Sequence, residues 1–311
     1  MDRSAGEAST SPRRRSPRSR RSARASRTSA SPGSGGVGRL GARSLRELAE
    51  RHGISPKAAL GQHFLIDPNL ADAIAAASGA APGVSVVEIG AGLGSLTRAL
   101  AERRASVLAL EFDRALIPAL TEAVGDLPDV AIRQADATSL AWQSLLGNAS
   151  WRCAANLPYN VGVPILLRAL EEAPAIEEYV VMVQREVAER LVAGPGDDSY
   201  GTTSLRVAYR ADAEILRTVP PSVFWPRPHV GSAVVRLKPH PPRVATDPGV
   251  LFRVIDVSFA ERRKTMRSAA RRLAVPADRV ADTLRSAEID PDARAESLSL
   301  DRFAALAEAL E

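Results

Sequence analysis

Short apolar runs alternate with amphipathic segments through the middle of this chain. The apolar runs predict strands at 84–89, 106–110, 130–134, 151–155 and 179–184. Apolar residues at helical spacing predict helices at 95–103, 115–124 and 163–170. Strands that alternate with helices favour an α/β fold with a doubly wound, mostly parallel sheet. Two later runs, 213–218 and 232–237, predict an antiparallel pair that completes this sheet.

Composition divides the chain into three parts. Residues 1–39 consist almost entirely of Arg, Ser, Ala, Pro and Gly, and we expect this tail to be disordered because it has too little apolar surface to offset its ordering entropy. Residues 40–240 hold the α/β pattern, and residues 248–311 predict a small all-helical domain after a Pro-rich stretch. Three interpretations of the tail stay open: a solvated extension or an upstream start codon without a role, a non-specific RNA-binding arm, or a transit peptide.

Charge and rare residues exclude several classes of protein. No apolar run approaches the ~20 residues of a membrane span, so we expect no membrane association. Cys153 is the only cysteine and the four histidines lack metal-ligand spacing, so we expect no metal site and a reducing, cytoplasmic setting. Residues 1–40 hold ten arginines against Asp2 and Glu7, so the net charge of +5 conceals a net acidic remainder.

A glycine-rich turn follows the first strand of the α/β pattern. The segment 86–94, V-V-E-I-G-A-G-L-G, joins a buried strand to a helix, and Gly90 and Gly92 let the backbone approach a ligand closely. Glu111 ends the next strand, where a carboxylate typically accepts hydrogen bonds from a ribose diol. These features fit a dinucleotide or S-adenosylmethionine, and the E-x-G-x-G-x-G spacing favours the latter. Asp136, after the third strand, is either an acceptor for an adenine amino group or a turn residue.

The tetrapeptide Asn156-Leu157-Pro158-Tyr159 follows the fourth predicted strand. The exocyclic amine of a base is a poor nucleophile because its lone pair is delocalised into the ring. The Asn156 side-chain oxygen and the Leu157 carbonyl, which Pro158 holds in extended geometry, can each accept one N–H and localise that lone pair. Tyr159 can stack on the base. Unless the tetrapeptide is only a turn, it indicates methyl transfer that relies on positioning rather than on a strong base.

Further stretches carry a resemblance to a known family. They are the glycine turn, 156–160, G-Q-H-F-L at 61–65, V-Q-R-E-V-A-E-R-L at 183–191, V-P-P-S-V-F-W-P-R-P at 219–228 and F-A-E-R-R-K-T-M-R at 259–267. From about Leu60 to Leu273 the chain resembles the KsgA/RsmA family of ribosomal RNA adenine N6-dimethyltransferases, relatives of the Erm methyltransferases. The resemblance implies a Rossmann-like class I methyltransferase.

The resemblance also implies a reaction and a set of site residues. The reaction is transfer of four methyl groups from S-adenosylmethionine to two adjacent adenosines near the 3′ end of 16S rRNA, within the immature small subunit, and we expect a monomer. The implied cofactor residues are His63, Leu65, Gly90, Glu111, Asp136 and Asn156, to which the turn adds Gly92. Phe224 is expected to face Tyr159 across the target base, and a buried anchor in the core is the alternative for Phe224.

A cluster of cations predicts contact with RNA. It comprises Arg262, Arg263, Lys264, Arg267, Arg271 and Arg272, on a predicted helix whose opposite side carries the apolar residues Phe259, Met266, Ala270 and Leu273. Because the body is net acidic, such a patch favours phosphate contact over a merely solvated face. It is predicted to extend to Arg185, Arg190, Arg227 and Arg236. Two other functions stay open: an Erm-type 23S rRNA adenine N6-methyltransferase conferring macrolide resistance, or a non-catalytic ribosome-assembly or transcription factor of the same fold.

Overall fold

The computed structural model describes residues 40–261 and 263–310 of the chain. The predicted tail at 1–39 and Arg262 lie outside these residues. The strands of the described part are β1 (Phe64–Leu65), β2 (Ser85–Ile89), β3 (Ser106–Glu111), β4 (Val130–Gln134), β5 (Trp151–Asn156), β6 (Ile176–Gln184), β7 (Ala211–Val219), β8 (Phe224–Trp225) and β9 (Ser232–Pro239). Its α-helices are α1 (Ala42–Arg51), α2 (Pro68–Ala77), α3 (Ser95–Glu102), α4 (Ile117–Val124), α5 (Trp142–Leu146), α6 (Gly162–Glu172), α7 (Arg185–Val192), α8 (Thr202–Arg210), α9 (Pro248–Phe259), α10 (Met266–Arg272), α11 (Val280–Ser286) and α12 (Leu300–Glu308).

Seven strands form one sheet in the order β4-β3-β2-β5-β6-β9-β7. The first five of these strands are parallel, whereas β9 runs antiparallel to both β6 and β7. The predicted mostly parallel sheet and its closing antiparallel pair are therefore confirmed. The strand order reverses between β2 and β5, and ligands of such sheets bind beyond the carboxyl ends of the strands at this reversal.

The helices α2 and α3 each begin at a position set by a specific residue. Asp67 begins α2, because its carboxylate accepts hydrogen bonds from the backbone nitrogens of Asn69 and Leu70, at 2.9 and 3.2 Å. Gly94 begins α3 with a φ of +86°, and a Cβ there would lie 3.1 Å from Ala123 of α4. The glycine therefore permits close packing of α3 on α4.

The C-terminal helices share a hydrophobic core with α8. Residues of α9 to α12 pack around Phe303 and Leu251, and α8 adds Leu205 and Tyr209 to the same cluster, together with Tyr200 two residues before α8. A small helical region after residue 248 is thus present, and the division of the chain at 240–248 stays a prediction. Within the described ranges, no helix is long and apolar enough to cross a membrane.

The predicted continuous helix under the cation cluster is wrong. α9 ends at Phe259 and α10 begins at Met266. Between them Thr265 has an extended backbone, with φ −79° and ψ 164°, and forms an antiparallel bridge with Arg294. The backbone nitrogen of Met266 donates to the Ala293 carbonyl over 2.8 Å. Contact with a distant segment interrupts the helix, and Arg263 and Lys264 lie on the intervening turn.

Glu88 lies at the centre of the sheet, in β2 between β3 and β5. Its side chain is only 1% exposed, and within the described residues nothing forms a hydrogen bond with its Oε2. Burial, with a smaller contribution from the charge of Glu111, raises the pKa of Glu88 to about 8. Glu88 is therefore neutral in the folded protein at pH values where it ionises in the unfolded chain.

Glu88→Gln is expected to flatten the pH dependence of stability. Between the unfolded pKa of 4.5 and the folded value of about 8, the folded protein binds more protons, so the free energy of unfolding falls as pH rises. Gln carries no proton to lose. The variant should match the wild type near about pH 5 and exceed it near about pH 9 by the order of a few kcal/mol.

Urea unfolding at both pH values measures this difference. Glu171→Gln, which removes an exposed carboxylate, is the matched control and should follow the wild-type curve. A Glu88→Gln curve parallel to that of the wild type would show that Glu88 is ionised in the folded protein.

Candidate active site

A cavity of about 270 Å³ lies at the carboxyl ends of β2, β3, β4 and β5. It therefore occupies the place where the strand order reverses. The residues predicted for the site that line it are His63, Gly90, Gly92, Glu111, Asp136, Asn156, Leu157, Pro158 and Tyr159.

The glycine turn forms one wall of the cavity. Gly90 and Gly92 have φ values of +77° and +59°, a region that favours glycine. A Cβ on Gly92 would also lie 3.1 Å from the ring of Phe64. The backbone nitrogens of Gly90 and Ala91 both donate to the Leu110 carbonyl, at 2.8 and 3.0 Å, which holds the turn against β3. The wall is thus bare backbone that a ligand can approach.

Glu111 ends β3 and is held by backbone donors. Its Oε2 accepts from the Gly92 nitrogen over 2.7 Å and its Oε1 from the Asp113 nitrogen over 2.8 Å. Burial raises the pKa of this carboxyl group, against the lowering effect of the backbone donors from Asp113 and Gly92. Each carboxylate oxygen has a further lone pair for a ligand hydroxyl. Glu111 therefore combines a fixed orientation with spare acceptor capacity.

Asp113 binds the segment 57–62, which precedes β1, to the wall of the cavity. Lys57 Nζ donates to its two oxygens at 3.0 and 2.8 Å, and Gln62 Nε2 donates at 2.9 Å. Burial works to raise the pKa of Asp113, but the hydrogen bonds from Lys57 and Gln62 outweigh it and lower the pKa. Asn160 holds the same segment on its other side, because its Nδ2 donates to the Ala59 carbonyl over 3.0 Å. The segment is thus tied to both sides of the cavity.

Sequence reasoning missed Phe112, which lines the cavity although its side chain is 56% exposed. An apolar ring in that position provides a flat surface for a planar ligand. Its signal in the sequence was an aromatic residue directly after the strand-end carboxylate, between Glu111 and Asp113.

Asp136 lines the cavity and also makes a turn. Its Oδ1 accepts from the Thr138 nitrogen over 2.9 Å and from the Thr138 hydroxyl over 2.6 Å. The turn role that the sequence left open is therefore present. Because these bonds engage one oxygen, the position in the cavity wall keeps the ligand role open as well.

Asn156 has a defined orientation at the end of β5. Its Nδ2 donates to the His63 carbonyl over 2.9 Å, so Oδ1 is the end of the amide left for a ligand. Leu157 follows with its nitrogen bonded to the Met182 carbonyl over 3.1 Å. Among the described residues, no donor reaches the Leu157 carbonyl oxygen. Two adjacent acceptors are therefore available where the sequence predicts a pair.

Tyr159 is held by contacts at both ends of its ring. Its hydroxyl lies 2.6 Å from the Ser232 hydroxyl, and its ring centroid lies 5.1 Å from that of His63. His63 is fixed in turn, because its Nδ1 donates to the Pro226 carbonyl over 2.7 Å. Burial raises the pKa of Tyr159, so the phenol keeps its proton. The ring is thus a rigid, neutral surface at the cavity.

Leu65 and Phe224 lie behind the cavity and do not line it. They pair with each other in the short antiparallel ladder of β1 and β8 and are 4% and 3% exposed. Phe224 contacts Tyr159 edge to face, with centroids 6.5 Å apart and ring planes at 75°. That contact leaves no slot for a base between the two rings, which corrects the expected placement of Phe224. The structure matches the alternative of a buried anchor that supports Tyr159.

The predicted RNA-binding cations fall into two groups. Arg263, Lys264 and Arg271 are exposed, whereas Arg267 lies 3.5 Å from Asp292 in an ion pair. The predicted extension is mostly neutralised: Arg185, Arg190 and Arg236 each pair with glutamates, namely Glu189, Glu186, and Glu178 with Glu214. At the end of α10, Arg272 pairs with Glu261 at 3.5 Å. Among the described residues, the predicted cations that no ion pair holds are therefore Arg227, Arg263, Lys264 and Arg271.

Two solved structures share the fold. A dimethyladenosine transferase from Plasmodium falciparum superposes with a TM-score of 0.68 at 24% identity, over 78% of this chain and 96% of that one. The 23S rRNA methyltransferase ErmE superposes with a TM-score of 0.61 at 24% identity, over 79% of this chain and 99% of that one. At these identities the likenesses show the fold alone, and the predicted Rossmann-like class I methyltransferase fold is confirmed.

Sequence relatives extend over most of the chain. The family described as "Ribosomal RNA adenine dimethylase" matches residues 54–311. The "Ribosomal RNA small subunit methyltransferase A" of Pelotomaculum thermopropionicum is 42% identical over 276 residues, which cover 84% of this chain and 94% of that protein. The protein of the same name from Methylobacterium radiotolerans is 44% identical over 267 residues, which cover 84% of this chain and 90% of that protein. The chain belongs to the ribosomal RNA adenine dimethylase family.

Proposed function

We propose that this chain is an S-adenosylmethionine-dependent rRNA adenine N6,N6-dimethyltransferase. It transfers four methyl groups to two adjacent adenosines near the 3′ end of 16S rRNA, acting as a monomer on the immature small subunit in the cytoplasm. The family match and the names of the relatives support the reaction and the choice of subunit. The observation that carries the chemistry is the orientation of Asn156, whose Oδ1 remains available while Nδ2 is bonded to the His63 carbonyl.

The residues around the cavity fit S-adenosylmethionine. Gly90 and Gly92 provide a bare backbone wall, Glu111 provides a fixed carboxylate for a ribose diol, and Phe112 provides an apolar surface for a purine. Asp136 has one carboxylate oxygen left for an adenine amino group. When bound, this cofactor supplies an electrophilic methyl group on a positively charged sulfur.

Asn156 and Leu157 act on the amine of the target adenine. The Asn156 Oδ1 and the Leu157 carbonyl each accept one N–H of the N6 amine, which draws the lone pair out of the ring and directs it at the methyl group. Pro158 restricts the backbone of Leu157 and so fixes the second acceptor. The alkylated amine is acidic and loses its proton to water, so positioning and electrostatics account for the rate.

Tyr159 and the exposed cations hold the RNA. The fixed Tyr159 ring stacks on the extruded adenine, whose removal from its neighbours costs a few kcal/mol that stacking helps to offset. Arg263, Lys264, Arg267 and Arg271 contact phosphates, with Arg262 predicted to join them. Phosphate contacts position structured RNA and carry no sequence information themselves.

A non-catalytic role is disfavoured by the same geometry. A factor that only binds RNA has no need for two aligned acceptors beside a glycine turn and a buried carboxylate. An Erm-type reaction on 23S rRNA shares this chemistry, but the relatives above 40% identity are named for the small subunit.

Mass spectrometry of rRNA fragments tests the function. After incubation of the purified chain with labelled S-adenosylmethionine and immature small subunits, we expect label on two adjacent adenosines of 16S rRNA, two methyl groups on each. Label confined to 23S rRNA, in parallel reactions with large subunits, would establish the Erm-type activity instead. Absence of label from both rRNAs would support the non-catalytic alternative.

Asn156→Ala is expected to reduce kcat by about 10²- to 10³-fold, because it removes one of two acceptors that polarise the amine. RNA affinity should change less than about threefold, since phosphate contacts dominate it. Filter binding and single-turnover methyl transfer separate the two effects. Asn148→Ala, an exposed asparagine before β5, is the control and should retain full activity. Wild-type turnover by Asn156→Ala would refute the acceptor role.

A further inference from the structure

The loop between β8 and β9, residues 226–231, is fastened at both ends to residues of the cavity. At its start the Pro226 carbonyl accepts a hydrogen bond from His63 Nδ1 over 2.7 Å. At its end Ser232, the first residue of β9, lies 2.6 Å from the Tyr159 hydroxyl. His63 and Tyr159 both line the cavity. The loop is therefore held in a fixed position beside the residues that receive the target base.

This loop exposes side chains that suit an RNA strand. Arg227 and His229 are exposed, and Val230 is 48% exposed. Within the described ranges only Phe112, Ile215 and Val230 are exposed large apolar side chains, and Phe112 belongs to the cavity wall. A cation and an apolar contact therefore project together from a loop next to the cavity.

Arg227 differs from the other arginines predicted to extend the RNA surface. Arg185, Arg190 and Arg236 are held in ion pairs, whereas no acidic group of the described residues pairs with Arg227. Its guanidinium can meet a phosphate without first giving up a carboxylate, and it presents a planar set of donors that matches phosphate oxygens. Arg227 is thus available to bind an external anion, whereas the three paired arginines are not.

We propose that loop 226–231 holds the RNA strand directly beside the target adenosine, with Arg227 on a backbone phosphate and Val230 against a flanking ribose or base. The inference rests on the proposed function, because it takes RNA as the substrate. A base that leaves its stack draws the adjoining backbone to the mouth of the cavity, and this loop is attached there through His63 and Tyr159. This contact determines which nucleotide enters the cavity. It supplements the phosphate contacts of the cations on the turn before α10.

Arg227→Gln tests the phosphate contact in the full-length chain. We expect the Kd for immature small subunits to rise about fivefold and the slope of log Kd against log salt to fall by about 0.7 to 0.9, the value for one phosphate. Arg227→Lys keeps the charge and should restore most of the slope. Arg104→Gln is the matched control, because Arg104 is also exposed but precedes β3, at the opposite end of the sheet from the cavity. It should bind as the wild type does.

The outcomes separate this inference from the proposed function. If the wild type methylates 16S rRNA and Arg227→Gln binds with an unchanged Kd and salt slope, the loop contact is refuted and the proposed function stands. An equal loss in Arg227→Gln and Arg104→Gln would also refute it, since the effect would then be one of total charge. If the wild type neither binds nor methylates small subunits, the proposed function fails and the inference fails with it.

Discussion

The hydrogen bond from Asn156 Nδ2 to the His63 carbonyl determines what the cavity can do. An amide has a donor end and an acceptor end, and only the acceptor end can receive an N–H of an amine. In the proposed reaction, a reversed Asn156 amide would present a donor to the N6 amine of adenine, which also donates, and the base would be repelled there. The position of His63 is therefore as important as that of Asn156. It depends on β1, whose Leu65 carbonyl accepts from the Ser95 hydroxyl over 2.6 Å.

The carboxyl groups around this bond have different environments and different roles. Glu88 is buried in the sheet and neutral near pH 7, and its Oε2 has no hydrogen-bond partner among the described residues. Glu111 lines the cavity, and two backbone N–H groups that donate to its carboxylate hold its orientation. Asp113 is ionised and ties Lys57 and Gln62 to the same edge. Burial and hydrogen bonding, rather than the residue type, give these three carboxyl groups their different protonation behaviour, and Glu111 is the one to which we assign a ligand contact in the proposed function.

The parts of the fold that depend on local pattern were predictable from the sequence. The strands, the glycine turn and the order of Glu111, Asp136 and Asn156 follow from apolar periodicity and from the geometry of parallel sheets. The helix break before Met266 was not, because the apolar spacing continues through it and the cause is a bridge to Arg294. The ladder between β1 and β8 was also not predictable, because it joins residues far apart in the chain. This ladder buries both Leu65 and Phe224.

Which arginine side chains are free to bind an external anion was also not predictable from the sequence. The sequence does not show which arginines are held in ion pairs. In the structure Arg236 pairs with two glutamates, whereas Arg227 is exposed. Likewise, an aromatic residue between prolines is consistent with either a stacking surface or an anchor, and only the contact of Phe224 with Tyr159 distinguishes them. Partners that are remote in sequence decide whether such side chains face a ligand or the protein interior.

The distance between Asn156 Oδ1 and the N6 atom of a bound adenosine is the decisive test of the proposed acceptor role of Asn156. It can be measured in a crystal structure of the chain with S-adenosylhomocysteine and an RNA that carries the target adenosine. We expect a separation of about 2.7 to 3.2 Å, with Nδ2 still bonded to the His63 carbonyl. An N6 atom that lies beyond about 4 Å from Oδ1, or that faces Nδ2, would contradict it.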